Sequence, residues 1–313
     1  MSELDIVIVN WNSGILLKNC LQAIDDSDID LNTVNIIVVD NNSQDGSQFV
    51  DKMRTNLEMV ELDYNAGFAK ACNIGFYRST AKYVLFLNPD TEVQAETLRL
   101  SISCMDENSH YAIIGAQSLD HGGDILASCA NFPKLRYFVY DILGLSKLFP
   151  KQFAHSTVIS HKRMDYAASG YVDEVTGAFL FCRRSVLEKV GLFDERFFVY
   201  FEELDLCYRV HQSGGKIFYN TNLKIMHEGG GSTQNVKSKR LFYELRSRIK
   251  YGFKHFPILK AMALMVLTMT LEYVSRFTLL ILSRRFREVT ELNNAYGMLF
   301  TYFIGSSSTD NSG

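Results

Sequence analysis

Five consecutive apolar residues, Tyr83-Val84-Leu85-Phe86-Leu87, run straight into Asn88-Pro89-Asp90. An unbroken apolar run of this length is the pattern of a strand covered on both faces. Pro89 ends it, because proline has no N–H to give a sheet ladder. Asp90 is then the first acid beyond a buried strand, at the edge where open α/β sheets bind ligands. Asn, Pro and Asp are also ordinary turn formers, so a plain turn and a metal-bearing loop both fit this stretch on its own.

The flanking residues repeat the arrangement. Ile6-Val7-Ile8-Val9 reads as a short buried strand, followed by Asn10-Trp11-Asn12-Ser13-Gly14 and a helical pattern through Leu16, Leu17, Cys20, Leu21 and Ile24. Asn35 to Asp40 reads as a second strand that ends in Asn41-Asn42-Ser43-Gln44-Asp45-Gly46-Ser47, with a helix expected before Met59-Val60-Glu61-Leu62. Asn65 to Gly75 leads to the central strand, a helix is expected over Glu96 to Met105, and Tyr111 to Gly115 gives another strand. Alternating strands and helices predict an α/β domain with a mostly parallel central sheet and helices on both faces. At 47% hydrophobic and 21% charged residues, a 313-residue chain can bury such a core. Each early strand ends in polar residues, which lines up Asn10, Asp40 and Asp90 along one sheet edge, an arrangement that a nucleotide pocket needs and that any α/β loop edge also shows.

Competing nucleotide folds lack their signatures here. A dinucleotide site wants G-x-G-x-x-G after the first strand and a P-loop wants G-x-x-x-x-G-K-[ST]; the chain has Asn-Trp-Asn-Ser-Gly at that place and neither motif. The Gly-rich, Arg-containing loop of a nucleotidyltransferase is missing there too. Diphosphate charge must then be met differently, and a divalent metal at Asp90 is the economical answer. Six cysteines without a C-x-x-C pair fit reduced thiols, not zinc or a disulfide framework.

A second informative block follows residues 118–168, which read as a loop-rich insertion on the acceptor side. Val175 to Arg184 reads as a strand in which Gly177 permits close backbone approach, and Ser185 is placed to cap the next helix. Aromatic residues from Phe193 to Phe201 surround Glu202-Glu203, a poorly hydrated wall that raises a carboxylate toward a useful base. Helical spacing puts Glu203 on the face of Leu206, Cys207 and Val210. Glu202 reads as a first-turn residue favoured by the helix dipole, and Asp205 pairs with Arg209 at i, i+4. Lys216 to Tyr219 is a strand, and His227 precedes Gly229-Gly230-Gly231, where it is placed to add a ligand at an Asp90 metal site.

Taken in order, these pieces resemble family-2 inverting glycosyltransferases of the GT-A fold, and within them the bacterial rhamnosyltransferase-like members. The matching segments are Val-Asn-Trp-Asn at 9–12, Val-Asp-Asn-Asn-Ser at 39–43, Asn-Ala-Gly-Phe-Ala-Lys-Ala-Cys-Asn-Ile-Gly at 65–75 and Leu-Asn-Pro-Asp at 87–90. They continue with Thr-Gly-Ala-Phe at 176–179, Phe-Asp-Glu at 193–195, Tyr-Phe-Glu-Glu-Leu-Asp-Leu at 200–206 and His-Glu-Gly-Gly-Gly-Ser at 227–232. The resemblance implies that Asn10, Asn12, Asp40 and Asn42 contact the nucleotide of a dTDP- or UDP-sugar, with Asn65, Gly67 and Asn73 in the next part of that pocket. Asn88 and Asp90 stand at the family's metal-binding D-x-D, so Asp90, supported by His227, would carry Mg2+ or Mn2+. Asn88 replaces the first acid, which leaves one carboxylate fewer. Gly177, Ala178 and Asp205 would lie on the donor and acceptor side. Glu203 matches the catalytic base, with Glu202 as the fallback; glutamate stands where the family has aspartate, a reach longer by about 1.5 Å.

The implied reaction moves a sugar, L-rhamnose from dTDP-L-rhamnose being favoured, to a polyprenyl-diphosphate-linked saccharide in bacterial surface polysaccharide assembly. A UDP-hexose or UDP-HexNAc transferase of the same fold is the alternative, with a nucleotidyltransferase or a non-catalytic scaffold behind it, and no nucleic-acid partner is expected. The expected layout is a catalytic domain over 1–255, divided near 115, an apolar helical extension over 256–304 and a disordered tail over 305–313. Lys237 to Lys260 holds eight Lys/Arg against the single acid Glu244, and the apolar run Ala261 to Leu271 stops at Glu272. Eleven residues fall short of the roughly 18 that span a bilayer, so residues 237–287 are expected to lie on the membrane, the alternative being an amphipathic helix packed on the catalytic domain or on a second subunit as a homodimer. The acidic N-terminus, running directly into a strand, has no signal-peptide pattern, which points to the cytoplasmic face of the membrane.

Overall fold

The computed structural model describes residues 2–47, 55–145, 166–227 and 237–304. The glycine run 229–231, the helix expected just before Met59 over 48–54 and the tail 305–313 lie outside these residues. The chain divides into two compact units, one of Met1–Asn131, Met164–Glu195 and Glu202–Ser232, the other of Phe132–Arg163, Arg196–Phe201 and Thr233–Gly313.

The first unit begins β1 (Leu4–Asn10), α1 (Gly14–Asp25), β2 (Val34–Asp40), β3 (Leu57–Glu61), α2 (Phe68–Arg78), β4 (Tyr83–Leu87), β5 (Thr91–Val93), α3 (Thr97–Glu107), β6 (Tyr111–Leu119) and β7 (Cys129–Ala130). After α4 (Leu135–Ile142), which belongs to the second unit, it resumes with β8 (Gly170–Tyr171), β9 (Glu174–Val175), β10 (Phe179–Arg183), α5 (Arg184–Val190), α6 (Glu202–Gln212) and β11 (Lys216–His227). The sheet order is β3-β2-β1-β4-β10-β6-β11-β5, with β8 on β11 and a separate β7-β9 pair. The four strands from β3 to β4 are parallel. β10 then enters antiparallel between β4 and β6, and β5 pairs antiparallel with β11.

Alternation along β1 explains how both faces are covered. Leu4, Ile6 and Ile8 join the α1 side of the core with Leu17, Cys20, Leu21 and Ile24. Val7 faces α2, where a Cβ on Gly75 would sit only 2.3 Å from it, so glycine is what lets that helix approach. The run Val175 to Arg184 is not one strand: it breaks over Thr176–Ala178 into β9 and β10, freeing Gly177 from the ladder. The following helix starts at Arg184 with Arg183 in the cap position, so Ser185 is not its cap.

The second unit holds α4, α7 (Lys237–His255), α8 (Ile258–Leu267), α9 (Tyr273–Leu282) and α10 (Phe286–Ile304). Its core gathers Phe242, Leu245, Ile249, Leu292, Ala295, Tyr296 and Leu299. A π turn, Thr268–Glu272, joins α8 to α9 without a break. The apolar segment therefore does not stop at Leu271: one 25-residue helix, Ile258–Leu282, is long and apolar enough to cross a membrane by length and composition, with a mean hydropathy of 1.5. Ion pairing allows Glu272 to sit inside it. Its carboxylate is buried, 2.7 Å from Arg248 of α7 and 2.8 Å from Arg276, and Arg248 also meets Glu244 at 3.0 Å. The Glu272–Arg276 pair is the one its i, i+4 spacing offers.

Candidate active site

At the carboxyl ends of β1 and β2 the polar residues hold one another. The buried Asn10 amide donates to Asp40 Oδ2 at 2.6 Å and to the Ser47 and Ser43 hydroxyls at 2.8 and 3.2 Å, while Asn10 Oδ1 has no partner. Asp40 Oδ1 accepts the Ser43 N–H at 2.8 Å. Asn12 and Asn42 both adopt left-handed backbone, at φ 50° and 62°, which asparagine tolerates better than most residues. Asn12 N–H donates to Ser43 Oγ, and its side-chain Oδ1 accepts from Gln44 N–H. This loop offers a set of amide and hydroxyl groups to a ribose or base.

Asn41 ties that loop to the next one. Its side chain accepts from Ala66 N–H and donates to Gly67 C=O. Asn65 closes a turn onto Gly67 N–H at 3.0 Å, and Gly67, at φ 84°, opens α2. Asn73 points elsewhere. Its amide clamps Phe193 through both backbone groups and reaches Glu195 at 3.0 Å, which makes it a brace for the loop 193–195.

β4 ends where proline requires, and Asn88 N–H donates to Ala178 C=O at 3.1 Å. Asp90 follows, and β11 pairs His227 with Thr91, which brings the imidazole to the acid from 137 positions away. His227 Nε2 stands 3.4 Å from Asp90 Oδ1, both side chains partly exposed. One carboxylate oxygen and one imidazole nitrogen side by side suit a divalent ion that takes its remaining ligands from substrate phosphates. Among the described residues no third acid, cysteine or histidine joins them as a metal cluster.

The paired acids open α6. Tyr200 and Phe201, just before it, are both left-handed, at φ 67° and 71°, a conformation worth of order 1–3 kcal/mol of strain each. The helix phase differs from that read off the periodicity: Glu202 is 3% and Asp205 0% exposed, while Glu203 is only half-buried. Asp205 is consumed by Arg209 at 2.8 Å, and Arg209 in turn binds the carbonyls of Val190, Gly191 and Leu192. Asp205 is thus not brought to the opening. Glu203 is: its Oε1 lies 3.8 Å from where a Cβ on Gly177 would be, an ordinary contact distance, so the carboxylate faces Gly177. Burial pushes the Glu203 carboxyl up, and the N–H groups of Glu203 and Leu204 at the helix start draw it partly back. Glu202 is driven well up by burial and then by the charge of Glu203. Glu203 Oε2 and Glu202 Oε2 are both buried without a hydrogen-bond partner.

Several residues of this region were not singled out by sequence. Ser43 and Ser47 are the hydroxyls that complete the Asn10–Asp40 network, and Asn41 bridges two loops. Glu174 on β9 is a third acid beside the pair, pushed well up by burial and then by Glu203. The acid pair Asp173-Glu174, directly before the buried Val175 and three residues ahead of Gly177, was the available signal.

Comparison with known proteins agrees with this geometry. The family model described as glycosyl transferase family 2 matches residues 5–191. A low-salt glycan biosynthesis hexosyltransferase, Agl10 of Haloferax volcanii, is 23% identical over 79% of this chain and 75% of its own. The N-acetylglucosaminyl-diphospho-decaprenol L-rhamnosyltransferase of Mycobacterium tuberculosis is 25% identical over 74% of this chain and 77% of its own. Among solved structures, the mannosyltransferase PcManGT of Pyrobaculum calidifontis, in complex with GDP-Man and Mn2+, superposes with a TM-score of 0.56 over 97% of this chain and 88% of its own, at 14% identity. The mixed α/β sheet with a helical C-terminal region is the GT-A fold.

Proposed function

This chain belongs to glycosyl transferase family 2, and from that premise we propose that it is an inverting enzyme moving L-rhamnose from dTDP-L-rhamnose to a hydroxyl of a polyprenyl-diphosphate-linked saccharide in bacterial surface polysaccharide assembly. The observation that carries the reading is Glu203: half-buried, raised by its surroundings, its Oε2 without a partner, and facing Gly177. A carboxylate in that state is equipped to accept a proton. As the acceptor oxygen attacks the anomeric carbon, its proton passes to Glu203. The bond from that carbon to the diphosphate oxygen breaks, and the nucleoside diphosphate leaves with the electron pair. A single displacement inverts the anomeric centre.

The Asn10–Asp40–Ser43–Ser47 network serves the nucleoside, with Asn12 and Asn42 shaping its loop. Asp90 and His227 would hold Mg2+ or Mn2+, which when bound supplies positive charge against the leaving diphosphate. Rhamnose and a lipid-linked acceptor are supported by the name of the mycobacterial relative; the Haloferax volcanii relative, named a hexosyltransferase, supports the alternative of a hexose as the sugar moved. A panel of sugar nucleotides in thermal-shift assays, with and without Mn2+, followed by transfer assays, tests the choice. Stabilisation by dTDP-L-rhamnose above the UDP-sugars is expected, and a UDP-hexose that alone stabilises and transfers overturns it. Glu203→Gln should keep donor binding and lose transfer; an active variant removes Glu203 as base.

The second unit supports a place on the inner face of the bacterial membrane. Leu259, Met262, Val266, Val274 and Leu282 are spaced along one outward stripe of the helix Ile258–Leu282 and are each more than half exposed. A water-facing stripe would be polar. Lys260 lies at one end and Arg284, Arg285 and Arg287 beyond the other, cations suited to anionic headgroups. Arg248 holds Glu272 on the opposite side, which favours a helix lying along the surface over one crossing it. Cosedimentation with anionic vesicles that is lost at high salt is expected. A dimer in solution that ignores vesicles assigns the stripe to a second copy.

A further inference from the structure

Three carboxyl groups from two elements meet at the proposed base. Glu202 and Glu203 begin α6, and Glu174 comes from β9, which packs against that helix: the Cys207 thiol, one turn along α6, is hydrogen-bonded by the backbone N–H of Val175. β9 leads within two residues to Gly177, which the Glu203 carboxylate faces at contact distance. Among the described residues no lysine or arginine offsets any of the three acids. Their other ionisable neighbours are Asp173, next to Glu174, and the buried thiols of Cys72 on α2 and Cys207 on α6, both pushed up by burial and neutral near pH 7.

Three carboxylates cannot all be ionised in a buried, cation-free place, because each added charge pays both desolvation and repulsion. Local structure decides which one ionises first. Glu203 and Glu174 are both partly exposed, whereas Glu202 is sealed at 3%. What separates them is the helix start: its N–H groups at Glu203 and Leu204 both point at the Glu203 carboxylate, Glu202 receives its own alone, and among the described residues Glu174 receives neither.

We propose that Glu174 is a positioning residue of the same reaction, a proton-holding acid that together with Glu202 leaves the group's single negative charge on Glu203. This rests on Glu203 being the base. Glu174 does not touch the reacting atoms; it acts through Glu203. As a neutral acid it lets Glu203 carry charge without a second anion near the departing diphosphate. In the ionised state it would add one.

The test separates this from failure of the base assignment, because its main readout is not activity. Infrared difference spectra of the full chain near pH 7 should show the carbonyl stretch of protonated carboxylic acids. Glu174→Gln and Glu202→Gln should each remove part of that band, and Glu203→Gln should let one of the remaining acids ionise at lower pH by about one unit or more. In transfer assays Glu174→Gln, neutral like the acid it replaces, should leave the acidic limb of the rate–pH profile within about 0.3 units of wild type. A band unchanged in Glu174→Gln overturns the proposal, as does an acidic limb displaced downward by a unit, since either result means that Glu174 is ionised in the working enzyme. If Glu203→Gln is fully active, the base assignment fails, whatever the spectra say of Glu174.

Discussion

Gly115, on β6, offers a way to move the site by pure packing. A Cβ added there would stand 2.5 Å from Val175 Cγ1, 2.6 Å from Val175 Cβ and 3.2 Å from Cγ2. Rotation about χ1 moves the Cγ atoms but not the Cβ, so no rotamer of Val175 relieves the clash. Restoring a carbon–carbon separation of about 3.6 Å requires β9 to retreat by about 1 Å. Val175 is fully buried, and its neighbours in sequence are Glu174 and, two residues on, Gly177. Gly115→Ala should therefore cost about 1–3 kcal/mol of overpacking, seen as a thermal midpoint lower by several degrees. Shifted Gly177 and Glu174 should also misplace the carboxyl group at Glu203, and an error of about 1 Å can cost on the order of 100-fold in rate. The assay is kcat and KM for sugar transfer beside thermal denaturation, for Gly115→Ala, Val175→Gly and the double variant. Removing the whole Val175 side chain should recover much of the rate lost in Gly115→Ala, giving a favourable coupling energy in the cycle. A Gly115→Ala enzyme with wild-type kcat would refute the link between the position of β9 and the base.

Three further outcomes follow from buried charges. Asp5 is 1% exposed; burial pushes its carboxyl up, but N–H bonds from Ala81 and Thr80 and the hydroxyls of Ser2 and Ser79 outweigh this and hold it below the usual carboxylate range. A depressed folded value means that its contribution is complete above the unfolded value of about 3.9 and is lost as pH falls through the folded one; Asp5→Asn should cost about 1–3 kcal/mol at pH 7 and flatten the acid side of the stability curve, checked by urea titration from pH 7 to 3. Glu203 is raised, so transfer should fail as pH drops through a value above the ordinary 4.5, and an acidic limb at or below 4.5 contradicts the environment assigned to it. In the second unit, Glu272→Gln leaves the buried Arg248 with Glu244 alone and should cost about 3–5 kcal/mol, whereas Arg248→Met with Glu272→Leu should cost far less; equal losses in the two variants would refute the pairing argument.

The first half of the sheet was legible because its signals are local. Ile6 to Val9, Asn35 to Asp40 and Tyr83 to Leu87 are apolar runs closed by polar residues or proline, and each forms the strand it describes, in parallel register. The Asp90–His227 meeting was read from its chemistry, yet its cause is the antiparallel pairing of β5 with β11, which no local pattern records. The insertion of β10 between β4 and β6 is likewise a property of topology. Apolar run length misled at Glu272, since a charge ends a membrane-length segment only when nothing neutralises it, and Arg248 comes from another helix.

Periodicity failed most instructively in α6. Counting from Leu206, Cys207 and Val210 assigns one buried face and places Glu203 on it. In the structure Glu202, Leu204, Asp205, Leu206 and Cys207 are all buried, so the first turns are enclosed on nearly every side and the 3.6-residue period carries no information there. What distinguishes Glu203 is that it is the partly exposed acid of that turn and faces Gly177, a residue of a different segment. An acid facing a distant glycine has no signature in its own segment. The same argument explains why Glu174 escaped notice: its importance lies in the charge it must not carry while Glu203 carries one, and repulsion between acids 29 positions apart exists only once β9 and α6 are packed together.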